Sequence, residues 1–336
     1  MNKHLLCCDW GTTSFRLKLI SRKDQLLIGE INSQNGISQT HDLWKQNETS
    51  GIERITFFKQ QLKNQIDTLS TKVGLNLDHI TILMSGMASS SIGMQEIPYA
   101  QLPFALDGSD VMIKYHEADE TLPNDMMLFS GVRSSMDVMR GEETQLIGLA
   151  EMTALSPDTD AIFILPGTHS KHLYIKNRVL VDFKTYMTGE IFNVMANYSI
   201  LKDSVTVGSG AQITDSGWKA FEDGVRESEQ SGVLHGLFTV RTRQLFDLSD
   251  KKQNAMYLSG ILIGSELRQL KGETGWQLVL CCGQNLHALY HKAVETLRLP
   301  KNTIIVPSEM VDNAASAGQI KIFEFQNLSL NKINYE

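Results

Sequence analysis

Basic charge is in short supply in this chain. Thirty-one Lys and Arg stand against 38 Asp and Glu, a net charge of −7 at pH 7, which argues against generic nucleic-acid binding. Any anionic ligand must therefore find its positive partners locally. No apolar run approaches a membrane span, and MNKHLLCCDW lacks the apolar length of a secretory leader. Cysteine is scarce, with four residues in two adjacent pairs, Cys7–Cys8 and Cys281–Cys282. Neighbours along a strand point to opposite faces, which suits neither a local disulfide nor a metal-binding CxxC. They read as small apolar residues in buried strands of a reduced, cytoplasmic protein. Two nucleotide signatures are also missing: no GxxxxGK[ST], and no G-x-G-x-x-G after a strand.

What is present is a globular composition, 42% hydrophobic and 21% charged, over 336 residues. That is length enough for two ordinary domains or one large one. The stretch CDWGTTSFRLKLI (8–20) stands out. An apolar strand ends in Asp9, Trp-Gly-Thr-Thr-Ser follows, and the chain returns at once to an alternating strand. Gly, Asp and Ser are ordinary turn residues. They also suit a phosphate cradle: glycine lets backbone N–H groups approach an oxyanion, hydroxyls add donors, and the carboxylate serves a metal ion.

Strands are expected at 3–9, 14–21 and 24–32, followed by a helix over 52–70 on the spacing of Ile52, Ile55, Phe58, Leu62, Ile66 and Leu69. A strand at 80–84 enters the polar loop SGMASSSIG, and 126–129 leads to VRSSMDVMRGEET and a helix from about 142 to 152. After the polar stretch SPDTD (156–160) the pattern starts again, with strand AIFILP, turn GTHSK, strands HLYI and VLVDFKTY, and a helix over about 189–198. The order β–GTT–β–β–α is thus matched by β–GTH–β–β–α, a duplication of architecture. Two such halves across a nucleotide cleft describe an α/β protein of two ribonuclease-H-like, actin-like ATPase domains. The expected division is 1–155 and 156–336.

Several blocks together resemble the 2-dehydro-3-deoxygalactonokinase family. They are DWGTTSFR (9–16), GMASSSIGMQEIPYAQLP (86–103), DVMRGEETQLIG (137–148), LPGTHSKH (165–172), YMTGEIF (186–192), YSIL (198–201), LFTVRTRQL (237–245), YLSGILIGSEL (257–267) and CCGQNLHALYHKA (281–293). They run in family order over nearly the whole chain. The resemblance implies ATP-dependent, Mg²⁺-assisted phosphorylation of 2-dehydro-3-deoxy-D-galactonate at its terminal C6 hydroxyl, in galactonate catabolism. Implied partners are the sugar acid and ATP, with neither nucleic acid nor membrane; a homodimer is left open. The chain departs from the family's GMIGSRQGW, having Ser91 for the arginine and Met94 for the aromatic, and His172 ends what is usually LPGTHSKW.

Phosphoryl transfer asks for positioning and neutralisation of charge. Asp9 suits Mg²⁺ held through water. Gly11, Thr12 and Thr13 suit the phosphates, as do Gly167, Thr168 and Ser170 in the second turn, with Lys171 as a point charge. His169 reads as a turn or packing residue. The acceptor hydroxyl needs a carboxylate to align it or take its proton, for which DVMRGEET offers Asp137, Glu142 and Glu143. Acids in a first helical turn are also favoured by the helix dipole without any catalytic role. For the substrate carboxylate the candidates are Arg16, Arg133, Arg140, Arg241 and Arg243, of which Arg140 is nearest the proposed base. Ser89, Ser90, Glu96, Thr188 and Glu190 suit the sugar hydroxyls and keto group. Gly283, Gln284 and Asn285, between a strand and a helix, suit adenine. Two rival readings stand: a polyphosphate or nucleotide phosphatase of the same fold, and a non-enzymatic actin-like ATP-binding protein.

Overall fold

The computed structural model describes residues 3–47, 51–153, 155–156, 158–208, 213–300 and 302–333. Pro157, within the expected boundary stretch, lies outside them. The chain forms two compact units: unit 1 is Met1–Pro157, Arg178–Asp182 and Met310–Glu336, and unit 2 is Asp158–Asn177 and Phe183–Glu309.

Unit 1 opens with a meander, β1 (His4–Trp10), β2 (Phe15–Ser21) and β3 (Leu27–Ser33), followed by α1 (Ile37–Gln46) and α2 (Arg54–Val73). There follow β4 (Ile82–Gly86), β5 (Ala100–Gln101), β6 (Phe104–Ala105), β7 (Ile113–His116), β8 (Met126–Phe129), β9 (Val132–Arg133), β10 (Val138–Met139) and α3 (Glu142–Met152). The main sheet has the order β3-β2-β1-β4-β8-β7, and β5, β9 and β10 make a small second sheet. β1 is antiparallel to β2 and parallel to β4, which is parallel to β8. The Leu5–Cys8 run is buried without alternation, as expected of a strand covered on both faces. Phe58, Leu62, Ile66 and Leu69 of α2 share a core with Trp10, Phe15 and Met84. Their spacing of three and four puts them on one helix face. α1 was not foreseen; only Ile37, Thr40 and His41 are buried in it, too few apolar positions to announce a helix.

Unit 2 repeats the plan with β11 (Ala161–Leu165), β12 (Ser170–Lys176), β13 (Val179–Tyr186) and α4 (Thr188–Tyr198). A helical insertion follows, α5 (Asp215–Gln230), α6 (Gly232–Leu245) and α7 (Lys251–Leu267), then β14 (Gln277–Leu280), α8 (Gln284–Leu297) and β15 (Ile304–Ile305). The order β15-β14-β11-β12-β13 has β11 antiparallel to β12 and parallel to β14. Two units therefore share one ribonuclease-H-like topology, and the duplication read from the turns is a duplication of sheets. All four cysteines are free and buried; Cys7 and Cys8 lie in β1, whereas Cys281 and Cys282, expected in a strand, follow directly after β14. No helix among the described residues is long and apolar enough to cross a membrane.

The expected division at 155/156 needs correction at two places. The last helix, α9 (Ser308–Ile333), belongs to unit 1 from Met310 onward. Lys18 Nζ donates to the Asp312 carbonyl at 2.7 Å and to Asn313 Oδ1 at 2.8 Å. Gln319 Nε2 donates to the Cys8 carbonyl at 2.7 Å and to Ser85 Oγ at 2.8 Å. Residues 178–182 also belong to unit 1, where Leu180 pairs with Phe104 of β6 and Arg178 forms an ion pair with Glu151.

Candidate active site

β1 and β2 pair in register up to Trp10↔Phe15, leaving Gly11 to Ser14 as the hairpin tip. The Gly11 N–H donates to the Ser14 carbonyl at 2.9 Å, and Thr12 and Thr13 stand exposed. The start of α1 holds this turn from behind. Ile37 N–H donates to the Gly11 carbonyl at 2.9 Å and Ser38 N–H to that of Thr12 at 3.1 Å. So close is the approach that a Cβ on Gly36 would lie 2.4 Å from the Thr12 oxygen.

Asp9 sits next to the end of β1, its Oδ2 3.5 Å from Arg16 Nη1 on the neighbouring strand. Burial raises its carboxyl above the ordinary value, Arg16 opposes this, the Glu142 charge raises it further and Lys18 lowers it. Fold topology has thus brought Asp9 and Glu142 within each other's field from distant stretches of sequence. Among the described residues no group of three or more His, Cys, Asp or Glu is placed to form a metal cage. One partly buried carboxylate with a second nearby suits Mg²⁺, which keeps several waters and takes one or two carboxylates plus substrate phosphates.

At the start of α3 the two glutamates have different surroundings. Glu142 is partly exposed, and its Oε2 accepts the Arg140 N–H at 3.1 Å. Glu143 is buried; its Oε2 accepts the Gly141 N–H at 2.7 Å and its Oε1 the Thr144 hydroxyl at 3.0 Å. Burial first, then the Glu142 charge, pushes the Glu143 carboxyl up to about 7. Asp137 lies in the β9–β10 turn, where its Oδ1 accepts the Val138 N–H at 2.8 Å and its carbonyl the Ser134 N–H at 2.9 Å.

Arg140 is buried. Its Nη1 donates to Ser89 Oγ at 2.6 Å and its Nη2 to the Ile97 carbonyl at 3.2 Å, with the guanidinium 4.1 Å from the Tyr99 ring centre. Ser90 donates to the Met87 carbonyl at 2.7 Å. Arg140, Ser89 and Ser90 are therefore brought together, but into the interior of the 86–97 loop, whereas Glu96 is exposed. Of the two departures here, Met94 is packed in the core and the Ser91 carbonyl accepts from Arg54 Nη1 at 2.7 Å.

In unit 2 the tip between β11 and β12 is braced in the same manner. Glu190 N–H, in the first turn of α4, donates to the Thr168 carbonyl at 3.0 Å. A Cβ on Gly189 would lie 2.6 Å from the Gly167 oxygen and 2.9 Å from Thr168 Cα. Gly36, the N-cap of α1, and Gly189, the second residue of α4, each pack directly against the backbone of a turn. His169 pairs with Glu190, both roughly half exposed. Lys171 is buried and donates to the His169 carbonyl at 3.0 Å. Ser170 is buried 3.2 Å from the Tyr290 hydroxyl, and the Thr188 hydroxyl donates to Glu266 at 2.5 Å. Gly283 caps α8 with nothing within 4 Å of the place a Cβ would take, and Gln284 and Asn285 are exposed beside it. Glu266 and Tyr290 were not singled out beforehand. A lone carboxylate in the apolar run YLSGILIGSEL was the available signal.

The chain matches the 2-keto-3-deoxy-galactonokinase family over residues 9–322. It is 30% identical over 296 residues to the protein named "Probable 2-dehydro-3-deoxygalactonokinase DgoK1" of Rhizobium meliloti (strain 1021), covering 86% of this chain and 88% of that protein. It is 29% identical over 223 residues to the 2-dehydro-3-deoxygalactonokinase of Escherichia coli (strain K12), covering 64% and 70%. Among solved structures, one from Sinorhizobium meliloti assigned as a 2-dehydro-3-deoxygalactonokinase superposes with a TM-score of 0.74 at 29% identity, over 94% of this chain and 96% of that one. By the extent of these matches the chain belongs to the 2-keto-3-deoxy-galactonokinase family and is a phosphotransferase.

Proposed function

We propose that the chain transfers the γ-phosphoryl group of ATP, bound with Mg²⁺, to the terminal C6 hydroxyl of 2-dehydro-3-deoxy-D-galactonate, yielding the 6-phosphate. The observation that carries this reading is the turn after β1, which presents Thr12 and Thr13 to solvent beside the partly buried Asp9 carboxylate, itself 3.5 Å from Arg16 Nη1. Asp9 is assigned to Mg²⁺ through water; the bound ion would supply neutralisation of charge on the phosphate oxygens. Gly11 to Thr13 and Gly167 to Thr168 are assigned to the phosphates, with Lys171 setting the potential of the second turn.

Glu142 is assigned to the acceptor hydroxyl, because it is partly exposed while Glu143 is buried with both oxygens committed, to the Gly141 N–H and the Thr144 hydroxyl. At a helix N-terminus the carboxylate is favoured as the anion, so Glu142 works more by aligning the hydroxyl than by full deprotonation. Glu190 and Glu96 are the accessible groups among those expected at the sugar acid, and Arg16, exposed beside Asp9, is the cation assigned to its carboxylate. Gly283 to Asn285 are assigned to adenine. A cytoplasmic location, where ATP is supplied, accords with four unpaired cysteines.

The test is coupled ADP production with and without the sugar acid, run with both C4 epimers. Production that depends on the galactonate-type acid is expected. Equal hydrolysis without an acceptor would make water the natural nucleophile and install the phosphatase reading instead.

A further inference from the structure

We propose that Glu266 is a positioning residue, which through Tyr290 and Thr188 locks the β11–β12 turn and the start of α4 into one piece, and that Ser170 serves this lock rather than the phosphate. The proposal rests on the kinase reading above. Glu266 projects from α7 and is 2% exposed. Its Oε2 accepts from the Tyr290 hydroxyl at 2.7 Å and from the Thr188 hydroxyl at 2.5 Å. Its Oε1 lies 3.2 Å from His172 Nε2, on a ring that packs 4.5 Å from that of Tyr186. His172 Nδ1 has no partner among the described residues, so the proton that reaches Glu266 sits on Nε2. A buried carboxylate is tolerated only with such partners, and three donors converge on this one.

Counting protons gives the lock a direction. An ionised carboxylate only accepts, so Tyr290 spends its single proton on Glu266. Ser170 Oγ, 3.2 Å from the same phenol oxygen, is then the donor in that contact, which is shorter than its other available contact, to the Gly167 carbonyl at 3.5 Å. The Ser170 oxygen in turn accepts the Gly167 N–H at 3.3 Å. The chain therefore runs from the Gly167 backbone through Ser170 and Tyr290 to Glu266, where the arm from Thr188 meets it. Burial, with the Glu266 charge second, holds the Tyr290 phenol well above its ordinary pKa, so the proton stays on its oxygen. With the Ser170 proton committed, phosphate donors in this turn fall to Thr168 and the backbone.

Tyr290→Phe removes one oxygen and keeps the ring in its core position. With the purified full chain, the apparent KM for ATP should rise about tenfold, equivalent to about 1.4 kcal/mol, while the KM for the sugar acid stays within about twofold. Ser170→Ala should give the same ATP effect, and the double variant should be no worse than either single one, because both cut the same chain. Glu266→Gln, which sets an amide N–H against groups that already donate, should raise the ATP KM at least as much. Should Glu266→Gln fail to fold, Tyr290→Phe and Ser170→Ala still decide. A Tyr290→Phe variant with a lower melting temperature but wild-type KM for ATP would overturn the proposal, leaving only a structural role. Additive losses in the double variant would also overturn it, because Ser170 would then act on phosphate directly. Absence of sugar-acid-dependent ADP formation in the wild type would instead refute the kinase reading.

Discussion

Replacing Gly189 by alanine sets two effects of opposite sign against each other. Gly189 is the second residue of α4, and alanine in a helix is favoured over glycine by about 1 kcal/mol. If nothing stood behind the turn, Gly189→Ala would therefore stabilise the protein. The structure places a Cβ there 2.6 Å from the Gly167 oxygen and 2.9 Å from Thr168 Cα, both backbone atoms that cannot rotate away. Overpacking of this kind costs about 1 to 3 kcal/mol, so the expected net change is a loss of up to about 2 kcal/mol. The relief available is retreat of the turn by about half an ångström, at the limit within which a functional group must be held. A fall in kcat/KM for ATP of about tenfold is expected, since a full ångström costs about a hundredfold. Thermal unfolding with steady-state kinetics reads both quantities. A raised melting temperature with unchanged kinetics would show that α4 does not brace the turn. Gly36→Ala in unit 1, where the Thr12 oxygen lies 2.4 Å from the added carbon, should lose stability without that offset, because Gly36 is the N-cap of α1, where alanine is disfavoured.

Asp9→Asn should lower kcat by about 10²–10³, the usual cost of one such electrostatic group, with the fold retained; more than half the wild-type activity would remove Asp9 from the metal. Gly283→Val should raise the apparent KM for ATP at saturating sugar acid, and because a Cβ there meets nothing within 4 Å the fold should accept it; an unchanged KM would move adenine elsewhere. Glu143 makes stability depend on pH, since its carboxyl rises from 4.5 to about 7 on folding. The folded state then binds the extra proton, so this contribution is full below about 4.5 and is lost as pH rises through about 7. Glu143→Gln abolishes it. The wild-type advantage over the variant in urea unfolding should shrink by about 2 to 3 kcal/mol between about pH 5 and pH 8, and a constant difference would contradict the buried protonated glutamate.

Much of the scaffold was legible in the sequence because it is encoded locally. An apolar run gave β1, alternation gave β2, and turn residues marked off β13, each nearly to its ends, and the repeated Gly-Thr turns announced a second copy of the sheet topology. α2 and α3 followed from three-four spacing and from acids at a helix start. The residues α7 buries come from every side of the helix, so no stripe marks it out in the sequence. Only the tertiary structure separated Glu142 from Glu143, since neighbouring letters of one type differ solely in what packs around them. It also turned Arg140 and Ser89 inward to each other, and it joined α9 to β1 and β2 through Gln319 and Lys18. Glu266 acquires its partners from β12, α4 and α8, three elements that meet only once the sheet and its helices have packed. Propensity and pattern act over a few residues, whereas burial, charge coupling and hydrogen-bond partners depend on distances that exist only after the chain has folded.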